Sequence, residues 1–310
     1  MFERLTRRSL IAGGLSAAGA AAIAIPGKVH RPRRSLRIVH LTDTHLQVNG
    51  DASARFAQCL ERIKSREQPD VIFQGGDIVM DALSLDGQAV AAQYGLAAKM
   101  LRDHVDVPIY HCLGNHDVWG WDRYDRAALA ENPRFGKGWW KEWTGYDSTY
   151  YSFDRAGWHF IFLDSIGQTP FRGYEARLDL PQWHWLQANI SQVPSTTPIC
   201  LVTHIPILSA GAQFFGASEM SGKHWHIPGT LAHIDGRRLK DLIARHPNVK
   251  LCLSGHIHMS SRIHYAGVTH VCNGAVCGAW WNGDMQETKA GYGVVDLFSD
   301  GRHFSRYESY

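Results

Sequence analysis

The chain has 310 residues, of which 45% are hydrophobic and 20% charged, with no low-complexity tract. This is the make-up of a folded protein large enough to bury a substantial core, and it excludes a disordered or fibrous chain. A formal charge of +3, dispersed along the sequence, excludes a dedicated binder of nucleic-acid polymers.

The first segment reads Thr6-Arg7-Arg8-Ser9-Leu10-Ile11, and a mildly apolar run follows from Leu10 to Ile25, broken by Gly13, Gly14 and Gly19. That run is short against the ~20 apolar residues that span a bilayer. Residues 1–26 resemble a twin-arginine signal peptide, with Ala22-Ile23-Ala24 as a small-x-small cleavage site. The alternative is an uncleaved membrane anchor. The resemblance implies passage through the twin-arginine translocase to the periplasm, already folded and with any metal loaded beforehand.

Beyond the signal the chain alternates. An apolar strand at 36–42 leads to a helix near 52–66, where Phe56, Leu60 and Ile63 fall at helical spacing. A strand at 70–75, a helix at 88–104 and a strand at 107–112 follow, and this βαβαβ run predicts a parallel sheet. Residues 150–153 and 158–163 read as a hairpin. A helix at 181–192, a strand at 198–203, a helix at 235–245 and a strand at 249–254 restore the alternation. Short strands at 261–265, 268–272, 291–297 and 303–307 end the chain. With no linker or repeat after the N-terminus, residues 35–310 are expected to form a single domain.

Five of these strands run into polar residues of metal-ligand type. They are Asp43-Thr44-His45, Gly76-Asp77, Gly114-Asn115-His116-Asp117, His204 and Gly255-His256-Ile257-His258. In an open α/β sheet the crevice beyond the carboxyl ends of the strands is where sites form, so segments distant in sequence converge there. The i, i+2 spacing within Asp43/His45 and His256/His258 puts both members of each pair on one side of an extended segment. Together the strand ends offer at least two Asp, one Asn and at least four His, enough for two metal ions.

This order of blocks resembles the calcineurin-like metallophosphoesterase superfamily. The resemblance implies a four-layer αββα sandwich, two mixed β-sheets flanked by helices. It also implies a binuclear centre that hydrolyses a small-molecule phosphoester by attack of a metal-bridging hydroxide. On the matching positions, Asp43, His45, Asp77 and His258 would hold one ion and Asp77, Asn115, His204 and His256 the other. Asp77 would be the bridge, since a carboxylate has the charge and the oxygens to hold two dications ~3.5–4 Å apart. His116 would bind phosphate or protonate the leaving oxygen, oriented by its neighbour Asp117. Oxygen and imidazole donors without thiolate suit Mn, Fe or Zn.

Within the superfamily, His45 two residues after Asp43 is similar to the class III cyclic nucleotide phosphodiesterases. Met80 stands where purple acid phosphatases carry a metal-binding tyrosine, and Ile78 and Val118 stand where protein phosphatases carry arginines. A phosphodiesterase acting on a cyclic nucleotide or related diester is therefore expected. A phosphomonoesterase or an enzyme of phospholipid head groups is the alternative.

Two segments read as neither sheet nor helix. Residues 119–149 hold Trp119, Trp121, Trp139, Trp140 and Trp143, expected mostly to pack the insert onto the sandwich. Residues 205–234 hold His224 and His226, expected at the rim or surface rather than on metal. A third aromatic loop, Gly278-Ala279-Trp280-Trp281-Asn282-Gly283, supplies the leading candidates for substrate contact after the ligands. The six cysteines lack Cys-x-x-Cys spacing and read as core thiols, with Cys272 and Cys277 close enough in sequence to pair.

Overall fold

The computed structural model describes residues 33–216 and 218–310. Residues 1–26, expected to be a twin-arginine signal with its cleavage site, lie outside the described residues. Two sheets form the body. One is five-stranded, in the order His303–Ser309, Gly291–Phe298, Arg34–Leu41, Val71–Gln74, Ile109–His111. The other is six-stranded, in the order Ser261–Tyr265, Val268–Cys272, Val249–Ser254, Ile199–Thr203, Trp158–Leu163, Tyr151–Arg155.

Both sheets are mixed. Arg34–Leu41, Val71–Gln74 and Ile109–His111 are parallel to one another, and the C-terminal strand Gly291–Phe298 adds antiparallel. In the second sheet Trp158–Leu163, Ile199–Thr203, Val249–Ser254 and Val268–Cys272 are parallel, with antiparallel strands at both edges. Side chains alternate between the two faces of each strand, so every central strand serves two cores. Ile38, Phe73, Phe160, Phe162, Val202 and Leu253 meet between the sheets. Their sequence neighbours Val39, Ile72, Ile161, Leu201 and Cys252 face outward to helices.

Those helices supply the outer layers, giving the expected αββα order. Ala52–Arg62 and Gly87–His104 cover the first sheet through Phe56, Leu60, Val90 and Ala97. Leu180–Gln192 and Gly236–Ala244 cover the second through Trp183, Leu186, Leu239 and Leu242. Asp86 and Asp179 cap two of these helices by accepting from Gln88 and Ala89 and from Gln182. The helix expected to reach residue 66 is α-helical only to Arg62 and finishes in a π turn, Ile63–Glu67.

The two segments expected to be irregular are partly regular. Residues 119–149 contain the short helices Arg126–Leu129 and Gly138–Thr144, the latter burying Trp139 and Trp140. Residues 205–234 contain the helix Gly211–Phe214 and a hairpin pairing Glu219–Ser221 with His224–His226. Elements this short carry too little periodicity to show in sequence. His224 and His226 are exposed on that hairpin. All six cysteines are free and buried; Cys272 Sγ lies against the Gly255 carbonyl and Cys277 Sγ against His258, so no disulfide joins them. Among the described residues no helix is long and apolar enough to cross a membrane.

Candidate metal centre

The parallel strands of both sheets end at the same edge, and the five ligand-type blocks follow directly from them. Their loops interlock through the backbone. The Asp43 amide donates to the Gly76 carbonyl, His45 to Asp77 and Gly255 to His204. The approach is so close that a Cβ at Gly114 would strike the Asp77 amide and carboxylate, and one at Gly255 the Thr42 hydroxyl and Asp43. Glycine precedes these ligands because nothing larger fits.

Asp43, His45, Asp77, His256 and His258 all adopt left-handed backbone conformations, with φ between 45° and 69°. For residues with a Cβ each such conformation costs on the order of 1–3 kcal/mol and persists only where the surroundings over-determine it. The strain bends the chain sharply after each strand and aims the side chains inward.

Seven side chains converge. Asp77 Oδ2 is 3.1 Å from His204 Nε2 and 3.6 Å from His45 Nε2. Asp43 Oδ1 is 3.3 Å from His258 Nε2 and 4.0 Å from His45 Nε2. His45 Nε2 and His258 Nε2 are 3.2 Å apart, as are His204 Nε2 and His256 Nδ1, and His204 Nε2 and Asn115 Oδ1. Four donors about 2.1 Å from one ion in a tetrahedron stand about 3.4 Å from each other, which these separations match.

The outer contacts dispose of the protons. His204 Nδ1 donates to the Gly75 carbonyl, His258 Nδ1 to Gly278 and His256 Nε2 to Thr230. Each therefore turns a bare nitrogen lone pair inward. The aspartates likewise accept from the scaffold, Asp43 at both oxygens, since the His256 amide also reaches its Oδ1 at 3.1 Å. Asp77 Oδ1 accepts from the His116 amide at 2.7 Å, and Asp43 Oδ2 from the Thr42 hydroxyl and the His256 amide at 2.6 and 2.9 Å. Asp77 Oδ2 lies within 3.6 Å of both His204 Nε2 and His45 Nε2 and so faces both groups of donors. Buried imidazole nitrogens and carboxylate oxygens gathered this closely form a donor set that fits metal ions.

The electrostatics agree. Burial alone would raise the pKa of Asp77, but His204, His116 and His45 outweigh it and hold the group well below the usual carboxylate range. Burial likewise opposes the lowered pKa of Asp43, and His258 and His204 overcome it. Conversely, burial disfavours charge on His204, yet Asp77 and Asp43 push its pKa up to about 9.

His116 lies just beside this set, partly buried, with its ring edge-on to His45 at a centroid distance of 4.7 Å. Its nitrogen falls within reach of the His45 and Asp77 donors. Its Nδ1 donates to the Met80 carbonyl at 2.7 Å, which leaves Nε2 for chemistry. The expectation that Asp117 orients this ring is overturned. The Asp117 carboxylate accepts from the backbone amides of Gly114, Asp77 and Ile78 at 2.9 Å and of Val79 at 3.4 Å. It is fully buried beneath the loops and positions Asp77 rather than touching a substrate.

One further group was invisible in the sequence. Cys277 Sγ lies near His45 and His258 and offers a thiol to the cluster. It contacts His258 at Nδ1, 3.9 Å away, whereas Nε2 is the nitrogen that faces Asp43. Burial pushes the thiol's pKa up. The thiol thus lies behind the His258 ring, away from the nitrogen that faces Asp43.

A calcineurin-like phosphoesterase is the class that this fold and this site define. Residues 36–260 match the calcineurin-like phosphoesterase family, and the chain belongs to it as a metal-dependent phosphoesterase. It is 24% identical over 286 residues to a 3′,5′-cyclic-nucleotide phosphodiesterase of Nostoc sp., covering 88% of this chain and 92% of that protein. It is 27% identical over 279 residues to a Synechococcus sp. protein named as a probable cyclic nucleotide phosphodiesterase, covering 86% and 89%. Among solved structures, a dimetal phosphatase from Danio rerio shares the fold at a TM-score of 0.62 and 13% identity, covering 89% of this chain and 97% of that one.

Proposed function

We propose that this enzyme hydrolyses phosphodiester bonds of cyclic nucleotides or related small diesters at a binuclear metal centre. One ion would be held by Asp43, His45, Asp77 and His258, the other by Asp77, Asn115, His204 and His256, with Mn, Fe or Zn as the metals that suit these donors. When bound, such a pair lowers the pKa of a water held between the ions and offsets negative charge on the phosphoryl oxygens. Asp77 presents Oδ2 to both halves at once, and that single observation carries the binuclear reading.

The chain's own residues do the rest. Asp117 holds the Asp77 amide, and the His116 amide holds Asp77 Oδ1, so the bridge cannot rotate. His116 Nε2, with its ring anchored by the Met80 carbonyl, is placed to give a proton to the leaving oxygen. Similarity to cyclic nucleotide phosphodiesterases over nearly the whole of both chains supports a diester as substrate. We extend the reading to export through the twin-arginine route to the periplasm, on the strength of Arg7-Arg8 and the apolar run behind them.

The test is a panel of 3′,5′-cyclic nucleotides, acyclic diesters, monoesters and phospholipid head groups, assayed with Mn-, Fe- and Zn-loaded protein. Faster hydrolysis of the small diesters is expected. A monoester or head-group preference would replace this reading with that of a phosphatase or phospholipid esterase. For export, Arg7→Lys with Arg8→Lys is expected to retain the protein in the cytoplasm, and undiminished periplasmic delivery would overturn the assignment.

A further inference from the structure

The loop Gly278–Gly283 is strained and fastened to the metal centre at two points. Trp280 and Trp281 are consecutive left-handed residues, at φ 49° and 69°. Adjacent bulky residues in that region are costly and remain only where neighbours impose them. Trp281 supplies the fastening. Its ring is buried, its Nε1 donates to the His45 carbonyl at 2.9 Å, and its amide donates to Cys277 at 2.8 Å. Arg55 bonds the Trp281 carbonyl at 2.8 Å and lays its guanidinium 5.1 Å from the ring. At the other end the Gly278 carbonyl accepts from His258.

The consequence falls on Trp280. Its ring lies 4.6 Å from that of His258 at 35°, and 6.1 Å from that of His45. Of the 11 tryptophans in the chain, it alone among the described residues has aromatic contact with candidate ligand histidines. It is also partly exposed. Simple packing would bury this side chain as it buries Trp281. A large planar π-face instead stays partly open beside the candidate ligand histidines, on a backbone that its neighbours fix, which lowers the ordering cost when a ligand arrives.

We infer that Trp280 is the platform on which the nucleobase of the substrate stacks, which makes it a specificity determinant of the site. This rests on the phosphodiesterase reading above, since a nucleotide ester brings a planar base to the edge of the centre. Base–indole stacking is tolerant of base identity, so the platform selects for a nucleobase rather than for one base.

The test is calorimetric binding of adenosine 5′-monophosphate, ribose 5-phosphate and inorganic phosphate to the metal-loaded protein, to Trp280→Ala and to Trp280→Phe. The wild type is expected to prefer the nucleotide over ribose 5-phosphate by roughly 5–150-fold. Trp280→Ala is expected to abolish that preference while metal content and phosphate affinity stay unchanged, and Trp280→Phe to keep most of it. The inference is overturned if the wild type shows no preference, or if Trp280→Ala retains it. It is also overturned if that variant loses inorganic phosphate as severely as the nucleotide, which would make the ring a prop for His258. A protein with a Trp280-dependent preference that hydrolyses no diester keeps the platform and loses the reaction. One that hydrolyses cyclic adenosine monophosphate and its abasic analogue alike keeps the reaction and loses the platform.

Discussion

The two halves of the proposed centre are built alike and charged differently. One half gathers Asp43, His45 and His258 around Asp77, so two carboxylates face two imidazoles. The other gathers Asn115, His204 and His256 around the same Asp77 oxygen, with a neutral amide where the first has a carboxylate. Every donor in the first half except His258 comes from the five-stranded sheet, whereas His204 and His256 of the second come from the six-stranded one. The lesson is that charge, not donor count, separates the two. On the binuclear reading, the first half is expected to hold its cation more tightly, and the second, with one less negative charge, to exchange more readily.

The largest expected effect removes what the halves share. Asp77→Asn takes the charge from both, and metal analysis is expected to find both ions lost together. Retention of two tightly held ions would show that Asp77 is not the bridge. Substitutions in one half sharpen the comparison. His258→Ala should empty the first half and His204→Ala the second, and Asn115→Asp should narrow the difference by adding a carboxylate to the weaker half. Equal metal affinities for the two halves in the unsubstituted protein, measured by competitive chelation, would break the comparison.

His116→Ala belongs to neither half in this scheme. It is expected to keep both ions and to slow hydrolysis by roughly 10²–10⁴-fold, the usual worth of a positioned acid. The loss should be smaller for a nitrophenyl ester, whose leaving group needs little protonation, than for a cyclic nucleotide. Loss of an ion would make His116 a ligand. Asp117→Asn touches no donor atom and loosens only the frame around Asp77. It is expected to cost roughly 10–100-fold in metal affinity, the range typical of outer contacts, with both ions weakened in parallel. Weakening of one ion alone would contradict its place beneath the bridge.

The smallest effect guards against misreading acid loss of metal. His270, on the outer face of the six-stranded sheet, is buried and its pKa is lowered to about 4 from 6.5, chiefly by desolvation and further by His264. The unfolded chain binds that proton first, so stability present above pH 6.5 drains away as pH falls towards 4, by on the order of 1–3 kcal/mol. His270→Gln is expected to flatten the pH dependence of the melting temperature over that interval. An unchanged slope would place the acid sensitivity elsewhere.

Much of this was legible in the sequence because its signals are local. Apolar runs at 36–42, 70–75, 198–203 and 249–254 mark strands through composition alone, and each ends in side chains whose chemistry announces a metal. The αββα layering came through resemblance on those same blocks. The antiparallel pairing of Arg34–Leu41 with Gly291–Phe298 had no local signature, since it joins the two ends of the domain.

What only the tertiary structure decided was the use of each residue. The sequence placed Asp117 beside His116, and adjacency suggested a pair. Folding turned the carboxylate down onto four amides and gave the ring to the Met80 carbonyl. Carbonyls of Gly75, Thr230 and Gly278 choose which nitrogen each ligand histidine presents, and no sequence reveals them because every residue carries one. The residue types that bind metal are a property of side chains, written one by one along the chain. Which atom faces the ion, and which tryptophan stays open beside it, depends on backbone groups brought together from distant segments, and only the packed fold sets those.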